Sequence, residues 1–202
     1  MSKSKTLNEL SPGPEGCLII FSAPSGCGKT TIIDRLLKRH SNWVRSISAT
    51  TRSPREGEKE GEDYFFLSSE KFRQMEKEGG LLESAKVFDQ YYGTPKQFIF
   101  EQLKKDKKVL LAVDIQGAEK IKRVLVGKVL LQTIFVLPPS VKVLRERLES
   151  RQTESAEQME LRIQMAQNEI KEAGKYDFTV VNQNLDQTVA EIENFIEKNK
   201  HK

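Results

Sequence analysis

The sequence predicts an α/β fold of three layers, a central parallel sheet with helices on both faces. Three observations carry it. Four apolar runs, at residues 17–22, 109–114, 129–137 and 176–182, are too short for helices and too continuous for half-exposed strands, so they read as buried strands. Between them apolar residues recur at helical spacing, and strands that alternate with helices build parallel sheets through right-handed crossovers. The first run also passes straight into a glycine-containing loop that ends in Lys29-Thr30 and a helix, which is the layout of a phosphate-binding loop (P-loop).

That loop reads Ala23-Pro24-Ser25-Gly26-Cys27-Gly28-Lys29-Thr30-Thr31. Gly26 and Gly28 let the backbone curl so that successive N–H groups point at phosphate oxygens, and a helix N-terminus adds its partial positive charge. Lys29 is placed to reach the β- and γ-phosphates of a nucleoside triphosphate, and the Thr30 hydroxyl to hold a magnesium ion. Ala23 stands where the pattern has its first Gly; as the smallest substitute it keeps the loop.

Residues 1–15 are polar, punctuated by Pro12, Gly13 and Pro14, and read as a disordered extension. After the loop, Ile32, Ile33, Leu36 and Leu37 place a helix to about Arg39, and His40 follows as a favourable charge at its end. Residues 43–51 read as one alternating strand. In the charged stretch that follows, Lys59 and Glu60 read as solvated loop, whereas Arg52 and Arg55 flank Pro54 and offer two guanidinium forks for a second anion. A strand is expected at 64–67 and a helix from Ser69 to Gly79-Gly80. Residues 81–88 are extended and carry Glu83, Asp89-Gln90 turns the chain, and Thr94 reads as the N-cap of a helix with Pro95 in its first position. Residues 44–95 thus form a small mixed β-rich insertion over the phosphate loop.

The main sheet resumes at 109–114, after a solvated turn at 104–108. It ends in Asp114, which reads both as an acid facing magnesium and its waters and as the N-cap of a helix over 116–125. The strand at 129–137 stops at Pro138-Pro139. Ser140 caps a helix with Val141, Leu144 and Leu148 on one face, bearing Arg145, Arg147 and Arg151. A polar tip follows, then a helix with Met159, Ile163, Ala166 and Ile170, bearing Arg162. Two helices, a polar tip and several arginines have the composition of a mobile lid. The last strand, 176–182, leads into a helix with Val189, Ile192, Phe195 and Ile196. The expected organisation is a core of 16–43, 96–138 and 171–202, the insertion 44–95 and a lid 139–170.

At 202 residues the chain suits one domain, and its net charge of +4 is a mild excess without an unbroken basic block. That balance suits anionic small molecules and gives no nucleic-acid arm. No apolar run approaches a membrane span, and nothing reads as a signal peptide, so a cytoplasmic location is the expectation. Cys17 and Cys27 have neither metal-site nor disulfide spacing; beside Lys29 and a helix N-terminus, Cys27 reads either as a thiol of lowered pKa or as an inert small residue. Nothing in the sequence specifies an oligomeric state.

Six motifs in order, APSGCGKT at 23–30, TTRSPREGE at 50–58, YYGTP at 91–95, VDIQGA at 113–118, PPS at 138–140 and RLESRQTE at 147–154, closely resemble the guanylate kinases of the nucleoside monophosphate kinase superfamily. The resemblance implies Mg²⁺-dependent transfer of the ATP γ-phosphoryl group to GMP or dGMP, giving ADP and GDP in purine nucleotide metabolism. It implies that Arg52, Arg55, Tyr64 and Tyr92 grip the GMP phosphate and that Glu58 belongs to the GMP site. Ser48, Glu83, Thr94 and Asp114 would serve the guanine. Lys29, Arg52, Arg151 and Arg162 would act in catalysis, with Arg147 and Arg151 closing over ATP, and Thr30 would hold Mg²⁺ with Asp114 acting through water. The chemistry is coherent without the family: guanine presents N1–H and an exocyclic amine side by side, a donor pair that one carboxylate accepts together, while O6 needs a hydroxyl donor.

Two departures stand out. Ala112 occupies the place of a second acid, and Gln152 the place of a lid glycine. Two other readings compete. A catalytically inactive guanylate-kinase-like binding module would tend to have lost the phosphate loop, which is intact here. A related small-molecule kinase such as a ribose bisphosphokinase would need no guanine reader.

Overall fold

The computed structural model describes residues 16–87, 89–149 and 156–199. The expected extension at 1–15 and the lid tip with Arg151 and Gln152 lie outside the described residues.

The chain runs β1 (Cys17–Ser22), α1 (Lys29–Arg39), β2 (Trp43–Arg45), β3 (Ser48–Thr50), β4 (Tyr64–Phe66), α2 (Ser69–Lys77), β5 (Leu81–Val87), β6 (Gln90–Pro95), α3 (Lys96–Leu103), β7 (Lys108–Ala112), α4 (Ile115–Leu125), β8 (Leu130–Leu137), α5 (Val141–Glu149), α6 (Ala156–Ile170), β9 (Phe178–Val181) and α7 (Leu185–Lys198). Five strands form a sheet in the order β2-β7-β1-β8-β9 with every neighbouring pair parallel.

Alternate residues of β1 face opposite layers, as a two-sided sheet requires. Cys17, Ile19 and Phe21 pack with Ile32, Ile33 and Leu36 of α1 and with Val189, Ile192 and Ile196 of α7. Leu18 and Ile20 pack with Ile99, Phe100 and Leu103 of α3 and with Ala118, Ile121 and Leu125 of α4. The three layers follow from the sequence directly, and the switch in connection direction at β1 leaves a crevice at the carboxyl ends of β1 and β7.

The second sheet has the order β4-β3-β6-β5 and is mixed: β3 pairs parallel with β4, while β6 pairs antiparallel with β3 and β5. Its strands are only partly buried. It buries less apolar surface than the main sheet.

The single strand expected over 43–51 is two strands in two sheets. Trp43–Arg45 pairs with Lys108, Val109 and Leu110 of β7, and Ser48–Thr50 begins the second sheet. The apolar residues Val44 and Ile47 are three apart, so the period of two breaks there, and the chain bends at that point. The turn expected at 104–108 ends one residue early: Asp106 has φ 56°, and Lys108 is already the first residue of β7, paired with Cys17 and Trp43 and with its side chain only 13% exposed. Among the described residues no helix is long and apolar enough to cross a membrane.

Candidate active site

The phosphate loop follows β1 at the carboxyl edge of the sheet. Gly26 and Gly28 have φ of 88° and 86°, the left-handed region that needs glycine. Ala23 is outside that region, which is the physical reason an alanine serves where the pattern has glycine. Pro24 O accepts from Cys27 N at 3.3 Å, closing the turn. Helix α1 then starts with no side chain capping it and no acid in its first turn, so its amides stay available to an anion. Thr30 and Thr31 are exposed on that first turn.

Lys29 extends back across the crevice and donates to Val113 O at 3.3 Å. Burial pushes its ammonium below the usual lysine value, while Glu169, Asp114 and Cys27 act in the opposite direction. Asp114 ends the β7 segment and caps α4, accepting from Gly117 N at 2.7 Å through Oδ1. Both readings of Asp114 are compatible, since the residue remains exposed while one oxygen serves the cap. A Cβ placed on Gly117 would come within 3.1 Å of Asp114 Oδ1 and 3.3 Å of Glu83 Oε2, so glycine lets the two carboxylates meet there.

Glu83 lies in β5, beside β6. Thr94, fully buried in β6, donates its hydroxyl to Glu83 Oε1 at 2.7 Å. Thr94 therefore is not a helix cap: α3 begins after Pro95 with no side-chain cap. Its one proton is spent on orienting Glu83, which leaves Ser48, half-buried at the start of β3, as the hydroxyl able to face a carbonyl oxygen. Burial raises the Glu83 pKa above the ordinary glutamate value; the Thr94 hydrogen bond opposes this, Asp114 adds to it, and Lys120 opposes it. Lys120 of α4 also donates to Ser84 O at 3.1 Å, tying the second sheet to the main body.

Arg52 sits at the other end of the second sheet. Its Nη2 donates to Glu58 Oε1 at 2.8 Å and its Nη1 to Ser53 O at 2.8 Å, and its guanidinium lies 5.3 Å from the Tyr64 ring centroid. Tyr64 and Tyr92 meet edge to face at 6.2 Å. Glu58 also accepts from Arg55 N at 2.7 Å, so both its oxygens are engaged in holding the arginine loop. Arg52 and the Arg55 amide hold its carboxyl below the usual range. A carboxylate so placed orients Arg52; it would repel an anion. The Arg55 side chain is exposed beside this cluster.

The paired helices α5 and α6 pack directly on the loop. Leu144 and Leu148 join Met159, Ile163 and Ala166 in the core that includes Cys27. Arg145 pairs with Glu160 at 2.7 Å, a strut between the helices. Arg162 Nη1 donates to Ser25 Oγ at 3.1 Å, and Arg147 Nη2 to Asn182 O at 3.0 Å. Of the two readings of Cys27 the structure supports the inert one: burial pushes the thiol up to about 12, outweighing the lowering effects of Arg147 and Lys29.

The model of the guanylate kinase family matches residues 15–199. The chain belongs to that family. A guanylate kinase of Wolbachia sp. subsp. Brugia malayi is 45% identical over 188 residues, which cover 93% of this chain and 95% of the relative. A guanylate kinase of Caldanaerobacter subterraneus subsp. tengcongensis is 45% identical over 178 residues, 88% of this chain and 85% of the relative. The crystal structure of guanylate kinase from Anaplasma phagocytophilum superposes with a TM-score of 0.75 at 31% identity, covering 95% of this chain and 90% of that one.

Against the guanylate kinase pattern, Ala112 is exposed at the end of β7, so the missing acid leaves Asp114 and Glu83 as the carboxylates at this edge. Two residues that the sequence reading passed over belong to the same surroundings. Glu169, in the last turn of α6, is half-buried, and burial raises its pKa while Lys29 lowers it. Asn182 follows β9 and reaches the loop. Asn182 had one available signal, a polar residue closing an apolar run; Glu169 had none among the many glutamates.

Proposed function

We propose that the chain transfers the γ-phosphoryl group of ATP to GMP, and less efficiently to dGMP, giving ADP and GDP. The carrying observation is Glu83, held by the Thr94 hydroxyl at 2.7 Å and kept partly from water beside the crevice that also contains Lys29. A carboxylate so fixed accepts the N1–H and amine pair of guanine; adenine lacks that pair and would leave the carboxylate unpaired. The names of the relatives agree with this reading.

In this reading the loop amides and Lys29 bind the ATP phosphates. Arg52, Arg55, Tyr64 and Tyr92 hold the GMP phosphate, with Glu58 orienting Arg52. The second sheet (within 44–95) is the acceptor site, and α5 with α6 is the lid. Arg162, Arg147 and Arg151 bring positive charge to the transferring group, and closure excludes water as a competing acceptor. Among the described residues no three His, Cys, Asp or Glu side chains form a metal cage. The exposed Thr30 hydroxyl and the remaining Asp114 oxygen fit an ion held largely by phosphate oxygens and water, as Mg²⁺ is. Bound there, Mg²⁺ would neutralise charge on the β- and γ-phosphates.

A coupled assay of ADP formation with GMP, AMP, UMP and CMP tests the proposal: turnover of GMP with little of AMP, UMP or CMP is the expected result, and comparable turnover of AMP would overturn it.

The raised Glu83 pKa gives a pH prediction. Only the ionised carboxylate accepts both guanine donors, so the KM for GMP is expected to rise as pH falls through a value above the ordinary glutamate range, and to be flat above it. The GMP phosphate has its own second ionisation at about pH 6. Profiles of wild type and Glu83→Gln therefore need comparison: the acid limb belonging to Glu83 disappears in the variant, while that of GMP remains.

A further inference from the structure

The phosphate loop of this chain is held from behind by a residue far along the sequence. Asn182 is 7% exposed and sits just past β9, at the same carboxyl edge as the loop. Its backbone N donates to Leu137 O at 2.9 Å, which keeps it in register with β8. Its side-chain Nδ2 donates to Cys27 O at 2.8 Å, a buried bond spanning 155 residues of sequence. A Cβ on Gly28 would lie 2.5 Å from that Nδ2, so the amide fills the space behind the loop.

A trans peptide is planar, and its C=O and N–H point in opposite directions. Fixing the Cys27 carbonyl toward Asn182 therefore turns the Gly28 N–H away from Asn182. Glycine at φ 86° tolerates either orientation of the peptide before it, so the loop's own sterics do not decide which way this unit faces. We propose that Asn182 is a positioning residue for nucleotide binding, fixing the Cys27–Gly28 peptide so that the Gly28 N–H serves as a phosphate donor. Arg147 of α5 donates to Asn182 O, so the same residue joins the arginine-bearing helix to the loop. The inference rests on the ATP site of the proposed function and adds its orienting device.

The test is calorimetric binding of Mg·ADP and, separately, of GMP to wild type, Asn182→Ala and Asn182→Asp, with urea unfolding of each. Alanine removes the donor; aspartate keeps the shape and sets an acceptor against the Cys27 carbonyl, and it carries the test if alanine fails to fold. The expected result is an ADP affinity weakened about tenfold, the loss of one buried hydrogen bond, with GMP affinity within about twofold of wild type. ADP affinity within twofold of wild type in both variants would overturn the inference. So would equal losses of ADP and GMP affinity with a lowered urea midpoint, since a merely structural role predicts that. Wild-type turnover of GMP is measured in parallel: its absence would overturn the proposed substrate, while a selective loss of ADP binding would still uphold the role of Asn182.

Discussion

Replacement of Glu83 by glutamine is expected to lower kcat/KM for GMP by roughly 10²–10³-fold while changing that for AMP by no more than a few-fold. The magnitude comes from counting bonds. A carboxylate accepting two donors makes two charge-assisted hydrogen bonds, each worth about 1.5–3 kcal/mol. Glutamine retains one acceptor and turns an amine toward the second donor, losing roughly 3–4 kcal/mol, and each 1.4 kcal/mol is tenfold. The loss is specific to guanine, because its donor pair is what the carboxylate matches. Thr94 can still donate to the glutamine carbonyl, so the second sheet keeps its internal bond. Burial already disfavours the Glu83 charge in the folded chain, so the variant is expected to be no less stable at neutral pH. The coupled assay across the four monophosphates, with urea unfolding alongside, separates the two effects. An unchanged ratio of GMP to AMP turnover would remove Glu83 from the site.

The pairing of Glu83 with Thr94 also marks where sequence reasoning ends. The phosphate loop is legible because its chemistry is local: strand, two glycines, Lys29 and Thr30 are consecutive. The four buried runs and their helices are legible through periodicity; the fifth strand of the main sheet, Trp43–Arg45, is not, because it runs close to Ser48–Thr50, which belongs to the other sheet. Thr94 followed by Pro95 satisfies the pattern of a helix start, but β6 continues through Pro95, and its pairing with β5 turns the hydroxyl toward Glu83 instead. Without the family motifs, Glu83 is one acid in an extended stretch; the register that buries it is a tertiary fact.

Cys27 and Asn182 show the same limit from opposite sides. The neighbours of Cys27 in sequence, Lys29 and a helix start, argue for a thiolate, yet the apolar side chains of α5 and α6 surround it, and desolvation is the larger effect. Asn182 carries only the faint signal of a polar residue closing an apolar run, and nothing beside it in sequence points to the phosphate loop. Its function as a strut arises because β9 joins the sheet next to β8, bringing residue 182 behind a loop that closes at residue 28. Local chemistry is written in the sequence; which remote side chain excludes water from it, or holds it in place, is decided by packing.

Lys29→Met is expected to lower kcat by about 10³-fold with the KM for GMP nearly unchanged. Methionine approximates the length of the lysine stem and removes its charge, so the change falls on electrostatics. In a reaction whose barrier is reduced by positioning and charge neutralisation, loss of one fixed transition-state donor costs roughly 10²–10³ in kcat, and in the proposed reading Lys29 brings a full charge to the donor phosphates. In the proposed reading GMP is held by the separate cluster around Arg52 and Glu83, which accounts for the expected split between kcat and KM. Stability should move the other way. Burial lowers the Lys29 pKa, so in the absence of nucleotide the folded chain disfavours the charged form. Wild-type stability therefore rises with pH from the lowered value toward the ordinary lysine range, a gain that the methionine variant lacks. At neutral pH the variant is expected to unfold at a urea concentration equal to or above that of wild type. A kcat within tenfold of wild type would remove Lys29 from the phosphoryl transfer, and a variant that is both inactive and markedly less stable would assign its effect to folding instead.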